Sequence, residues 1–403
     1  MGRKSTIKYA LKETDFLLFL MCVLTSAFGS LMVHSATRND AIADGILISR
    51  ECLTMIVAAA IGILFCIIIS FLDYDAIVRL WPLVGGASLL LLLSLFIWGE
   101  GTTDRPEAIC WLPIIETDGF SLKFQPSELV KVGFIITFTA HIEAVKDNIN
   151  SIKNVLLLTL HALIPIGIII LTDDLGSAIV FALMFVGMMF VAGVHLRYFA
   201  VALGIGVAAM PLLWVKFLAN FHKRRILAIY YPSALSEEVY RDVVYQQQRG
   251  LNAIGSGQIF GDGLFKGTYT QSPKGVPVNE SDMVFTVVGE ELGFVGCIAL
   301  LLVFALIIYK IVSVGKMSRN ITGSLICFGT AFMIGAQVVI NIGMCLMLLP
   351  SIGITLPFVS AGGSSNLCIY FAIGIVMSVY RFNCNREPIN FRLTHISTPF
   401  AET

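Results

Sequence analysis

The chain has 403 residues, a formal net charge of zero, 57% hydrophobic residues and 13% charged residues, against roughly a quarter charged in ordinary soluble domains. A soluble fold of this length would need a charged surface that the composition does not supply. A neutral chain also has no bulk electrostatic attraction for nucleic acid, which leaves a polytopic membrane protein with lipid as its main environment.

Four bases, Arg3, Lys4, Lys8 and Lys12, precede the apolar run Phe16 to Val33. The run is too long for a signal-peptide core and no A-x-A site follows it, so it is expected to be an uncleaved first span. Apolar blocks able to cross a bilayer follow at about 53 to 72, 79 to 98, 127 to 145, 154 to 172, 174 to 193, 197 to 217, 284 to 313, 321 to 349 and 364 to 381. The expected fold is therefore an all-α polytopic membrane protein with about ten transmembrane helices. Only Thr172, Asp173 and Asp174 separate the fifth and sixth blocks, so these form a tight helical hairpin with two acids at its tip.

Orientation follows from the bases of the short loops. Lys146, Lys153, His195, Arg197, Lys310, Lys316, Arg319, Arg381, Arg386 and Arg392 fall on the side of the basic N-terminus. Both termini, residues 1 to 15 and the tail 382 to 403, are then cytoplasmic and flank a transmembrane domain at 16 to 381. Segment 218 to 283 is basic but too long for the rule to apply, and is expected to be a large extracellular loop between helices 7 and 8.

Residues 99 to 126 and "LPSIGITLPFVSAGGSS" at 349 to 365 also face outward and contain Pro, Gly and small polar residues. Irregular backbone at membrane depth is tolerated where protein or a wet cavity covers it. These loops and the Asp173-Asp174 tip are expected to converge on one polar cavity. No internal repeat of the inverted-repeat transporter kind is visible. The nine cysteines show no C-x-x-C or zinc spacing and read as small buried apolar residues; Cys52 and Cys110 fall on the outer side, where a pairing is open to them.

Several groups are candidates for chemistry. In "FQPSELVK", Glu128 and Lys131 lie three apart on one face of the fourth span. A charge at mid-bilayer costs at least about 3 kcal/mol, so such a pair marks an interior site or relay; a Glu suited to the helix dipole with a snorkelling Lys is the plainer alternative. "IGSGQIFGDGLFKG" fails the G-x-G-x-x-G spacing and follows no strand, so its glycines are read as tight turns that let backbone approach a ligand or a helix. Lys223, Arg224 and Arg225 stand just outside the seventh span, where they suit either a pyrophosphate head group or anionic lipid.

The six histidines are scattered without metal-ligand spacing, and Gln337 and Asn341, four apart on the ninth span, read as helix-to-helix hydrogen-bonding partners. Asp282 ends a polar loop and begins a helix in "VNESDMVFTVVGEELG", a stretch without Lys or Arg. Two readings stand open there: a half-dry carboxylate tuned toward general-base work, or a helix cap.

These stretches together resemble the SEDS family (shape, elongation, division and sporulation), the RodA/FtsW/SpoVE type of peptidoglycan glycosyltransferase. The resemblance runs through Trp111, "FQPSELVK", "DLGSA" at 174 to 178, "RRIL" at 224 to 227, "YQQQ" at 245 to 248, "AIGSGQIFGDGL", "SDMVFTVVGEELG" and "NIGM" through "LLPSIGITLPFVSAGGSS". It implies a ten-helix enzyme of the bacterial cytoplasmic membrane that polymerises lipid II, with Asp282 as catalytic base. It implies substrate contacts from Trp111, Gln125, Glu128, Lys131, Asp174, Arg225, Gln246, Ser360 and Gly362. Its implied partners are lipid II, undecaprenyl-pyrophosphate-linked glycan, membrane lipids and a class B penicillin-binding protein, the transpeptidase. The chain departs from the family pattern at Thr172-Asp173 (usually Gln-Pro), Cys110 (Arg), Val278 and Glu280 (Glu and His) and Ala361 (Tyr).

The chemistry so implied is an inverting displacement from an α-linked pyrophosphate to a β-1,4 bond. One base suffices, because the leaving pyrophosphate needs its charge neutralised rather than a proton. Arg225, Lys131 or a divalent cation (Mg2+ or Mn2+) would supply that neutralisation; no other cofactor is expected. Rival readings are a lipid II flippase, for which Glu128, Lys131 and Asp174 would line the head-group path, and a scaffold for the penicillin-binding protein.

Overall fold

The structure, a computed structural model, describes residues 15–43, 45–101, 108–117, 120–272 and 275–383. Most of both expected cytoplasmic ends, 1–14 and 384–403, lies outside the described residues. The bundle consists of α1 (Phe16–Ala36), α2 (Arg50–Ser70), α3 (Trp81–Trp98), α4 (Pro126–Val145), α5 (Ile152–Leu171), α6 (Leu175–Val191) and α7 (Leu196–Leu212). After these come α8 (Asn220–Tyr230) and α9 (Glu237–Ser256), then α10 (Val284–Lys316), α11 (Ile321–Cys345) and α12 (Gly363–Asn383).

Among the described residues eight helices are long and apolar enough to cross a membrane: α1, α2, α3, α5, α7, α10, α11 and α12. α6 is apolar but has 17 residues, and α4 has 20 residues with Glu128 and Lys131 among them. Each of the ten apolar blocks of the sequence falls on one of these ten helices. Their starts obey local rules, because Asp15, Ser49, Ser151, Asp174 and Asn320 each accept a backbone N–H of the first turn. The centre of the bundle is α4, α11 and α12, which bury residues on nearly every face; no residue of α7 is buried, so its apolar surface is left to lipid.

Two outward segments contain regular structure. Within 99–126, β1 (Leu112–Thr117) pairs antiparallel with β2 (Phe120–Phe124), Leu112 opposite Phe124. Segment 218–283 is mostly helical: α9 buries Val244, Gln247, Gly250 and Ala253, a stripe at three-residue spacing, and packs on α10. The Gly-rich stretch that follows α9 approaches a helix. α10 is broken at Gly293 (φ 66°), and the loop fills the break: Asp262 and Gly263 N–H donate to the carbonyls of Glu290 and Glu291, and Phe294 and Val295 N–H to those of Gln258 and Ile259. Backbone so close leaves no room for side chains, since a Cβ on Gly261 would lie 2.2 Å from the Glu291 carbonyl oxygen.

Candidate functional site

A cavity of about 480 Å³ lies where the outward segments meet. Its lining includes Trp111, Gln125, Glu128, Lys131, Asp174, Arg225, Gln246 and Asp282, eight of the ten residues expected from the sequence to be catalytic or substrate-binding. Ser360 and Gly362 are not in the lining. Ser360 is buried, with its hydroxyl donating to the Ser281 carbonyl (2.6 Å) and accepting from Leu356 N–H (2.8 Å). Gly362 N–H donates to the Ser360 carbonyl just before α12. Both belong to the loop behind Asp282.

Lys131 and Glu128 close on each other across one helical turn, Nζ to Oε1 2.7 Å, both buried. Proline at the start of α4 and Gln125 at its N-cap place the pair one turn into the helix, where each side chain reaches the cavity wall. Asp174 caps α6 through Ser177 N–H (3.0 Å) and accepts from Gln125 Nε2 (2.8 Å) and Ser127 Oγ (3.1 Å). Its carboxylate thus joins the α5–α6 tip to the start of α4.

The neighbouring Asp173, where the resemblance implies a proline, has a left-handed backbone (φ 62°), which a proline cannot adopt. Its Oδ1 lies 2.7 Å from Nε2 of buried His222 on α8. One turn further along α8, Arg225 stacks on Phe221 with 4.0 Å to the ring centroid and donates to the Ser351 carbonyl. The replacement at Asp173 therefore gives the hairpin tip a grip on the helix that carries Arg225. Cys110 and Val278, two other departures from the family pattern, also line the cavity. Cys52 is buried on α2, while Cys110 stands half-buried in the cavity lining.

Asp282 is half-buried, and the N-cap of α10 is Met283 rather than Asp282. Four neighbours hold the backbone before and at Asp282: Ala361 N–H on the Glu280 carbonyl (2.8 Å), Ser360 Oγ on that of Ser281, and Asn341 Nδ2 (2.8 Å) with the weaker Cys345 Sγ (3.8 Å) on that of Asp282. The turn is strained, since Val278 sits at φ 55°, a costly place for a β-branched residue. Gln246 Nε2 donates to the Pro277 carbonyl (3.1 Å), a further tie beneath the same loop.

Glu290 and Glu291 are fully buried. Glu290 accepts from Tyr269 N–H (2.6 Å), Thr270 N–H (2.8 Å) and Thr268 Oγ1 (3.2 Å), and Glu291 from Phe265 N–H (3.1 Å), Gln271 Nε2 (3.1 Å) and Ser35 Oγ. They are posts for the outward loop that leads to Asp282. Of the two polar residues expected to bond other helices, Asn341 bonds loop carbonyls instead and Gln337 has no hydrogen-bond partner among the described residues. Among the described residues no three His, Cys, Asp or Glu side chains come together as a metal cage.

A bundle of apolar helices with a polar cavity among its outward loops defines a multi-pass membrane protein with a site at the membrane surface. The chain belongs to the FtsW, RodA and SpoVE family of cell cycle proteins, whose sequence profile matches residues 15–385. The "probable peptidoglycan glycosyltransferase FtsW" of Geobacter metallireducens is 32% identical over 385 residues, 92% of this chain and 96% of that one. Stage V sporulation protein E of Bacillus subtilis is 29% identical over 377 residues, covering 92% and 97%. Among solved structures, a chain of a peptidoglycan synthase complex that coordinates polymerization and crosslinking superposes with a TM-score of 0.72 at 26% identity, covering 93% of this chain and 99% of that one. The Rod shape determining protein RodA of Thermus thermophilus gives 0.64 at 25% identity, covering 93% and 98%.

Proposed function

We propose that the chain is a peptidoglycan glycosyltransferase that polymerises lipid II into glycan strands at the outer face of the cytoplasmic membrane, in cell elongation, division or sporulation, with Asp282 as the general base. The observation that carries this reading is the Asp282 carboxylate in one outward cavity with Lys131 and Arg225, in a family whose relatives are named for this activity.

Asp282 would accept the proton of the acceptor 4-hydroxyl as that oxygen attacks the anomeric carbon and the diphosphate leaves from the opposite face. Arg225, with its fork of N–H donors, suits the departing diphosphate bidentately. Lys131 contributes less, since Glu128 already balances its charge. Among the described residues no three His, Cys, Asp or Glu side chains come together, so a divalent cation, Mg2+ or Mn2+, would come with the diphosphate and rest on one or two carboxylates. The flippase reading is weakened because both carboxylates are already engaged: Glu128 is paired with Lys131 on its own helix, and Asp174 accepts from three donors that join the start of α6 to that of α4.

The partner in this reading is a class B penicillin-binding protein. The test is Asp282→Ala, purified with that partner and given labelled lipid II: no glycan polymer is expected, with fold and partner binding retained. Polymerisation at the wild-type rate defeats the base assignment. Wild-type protein that moves lipid II between leaflets without polymerising it makes the chain a transporter.

A further inference from the structure

Asn341 lies fully buried in α11 and does not line the cavity. Its amide nitrogen donates to two carbonyls, Asp282 at 2.8 Å and Ile354 at 2.6 Å. These belong to different outward segments. The first ends in the proposed base. The second forms the wall beside it, where a Cβ on Gly353 (φ 72°) would come within 3.3 Å of Asp282 Oδ2. One amide thus sets the height of the carboxylate relative to that wall, from a helix buried along most of its length.

The side-chain type suits the task. Asn carries two donors on one nitrogen at the end of a short arm, so it can serve two carbonyls at once. Asp at this position would aim lone pairs at both carbonyl oxygens, and Ala would leave both without this donor. The turn before Asp282 is strained at Val278, and strain persists only where surrounding bonds over-determine it. The ties from Ser360 and Ala361 come from a loop; the tie from Asn341 comes from a membrane helix.

We propose that Asn341 is a positioning residue for Asp282, fixing the base without touching substrate; this rests on Asp282 being the base. Polymerisation of lipid II by the complex with its partner is measured for wild type, Asn341→Ala, Asn341→Ser, Gln337→Leu, Asp282→Ala and Asp282→Ala/Asn341→Ala. An ångström of misplacement costs on the order of 10²-fold in rate, so Asn341→Ala is expected to lower kcat by about that factor while KM for lipid II stays within about twofold. Asn341→Ser, which keeps one donor, falls between, and Gln337→Leu, one turn away, matches wild type. Amide exchange rises over 278–286 in Asn341→Ala and stays level elsewhere, and the double variant is no slower than Asp282→Ala.

Wild-type kcat in Asn341→Ala overturns the proposal. So does a KM that rises in step with the loss, or exchange that rises uniformly in both Asn341→Ala and Asn341→Ser, the mark of a purely structural residue. Polymerisation by Asp282→Ala defeats the base assignment instead, and is read on a separate variant.

Discussion

Replacing Lys131 by Met removes the ammonium from a pair whose charged atoms are 2.7 Å apart and whose side chains are 2% and 7% exposed. The Glu128 carboxylate is then left buried without its partner, which costs about 3–5 kcal/mol. Replacing both residues, Glu128→Leu with Lys131→Met, removes the orphan charge; buried ion pairs exchanged for apolar residues of similar volume are often neutral or stabilised by about 1–4 kcal/mol. The expected result is a coupling energy of at least ~3 kcal/mol in a double-mutant cycle. Unfolding free energy in mixed micelles is the readout, with lipid II polymerisation measured on the same preparations. Because both side chains reach the cavity wall, the double variant should recover its stability and still polymerise poorly. Single variants that each cost under about 1 kcal/mol, the range of an exposed pair, refute the buried-pair account. Full polymerisation by the double variant refutes a role in the site.

Glu290→Gln sets an amide N–H against the backbone N–H of Tyr269 or Thr270 and should cost about 1–3 kcal/mol; amide exchange over 265–271 should rise, and an unchanged rate there removes the post. Gly293→Ala forces a left-handed alanine whose Cβ lies 2.4 Å from Gly261 N, so a loss of at least ~1–3 kcal/mol is expected, and an unshifted Tm disproves the inserted loop. Among the described cysteines Cys110 is the one not buried: a membrane-impermeant maleimide should label right-side-out vesicles, lose that label in Cys110→Ser, and react more slowly with lipid II present. Labelling indifferent to lipid II places the substrate elsewhere.

Much of the architecture was legible because it follows from local chemistry. An apolar stretch of some twenty residues has one low-energy solution in lipid, a helix that satisfies its own backbone. The ten blocks could therefore be read before any contact was known, and so could the two acids at the Thr172–Asp174 hairpin tip and the polar mouth around Asp282. The β1–β2 pair was hidden because β1, Leu112–Thr117, carries a proline and no alternation, and because both strands lie in a segment rich in turn residues, although Phe120–Phe124 does alternate. The helix α9 was hidden because its buried face is built on Val244, Gln247, Gly250 and Ala253, of which one is polar and one has no side chain.

Partner choice is what the sequence could not disclose. Asn341 reads from the sequence as a helix-to-helix hydrogen-bonding residue, yet its amide bonds the Asp282 carbonyl of a loop 59 residues away. Ser360 donates to the Ser281 carbonyl from 79 residues away, and Glu290 holds the loop at 268–270. The Gly-rich stretch disclosed that some backbone must come close, but not that the backbone was a broken α10. Hydropathy and capping are decided within a turn or two of chain. Which buried donor meets which acceptor is decided by packing, since a buried polar group must take whatever partner the assembled helices bring within 3 Å or so.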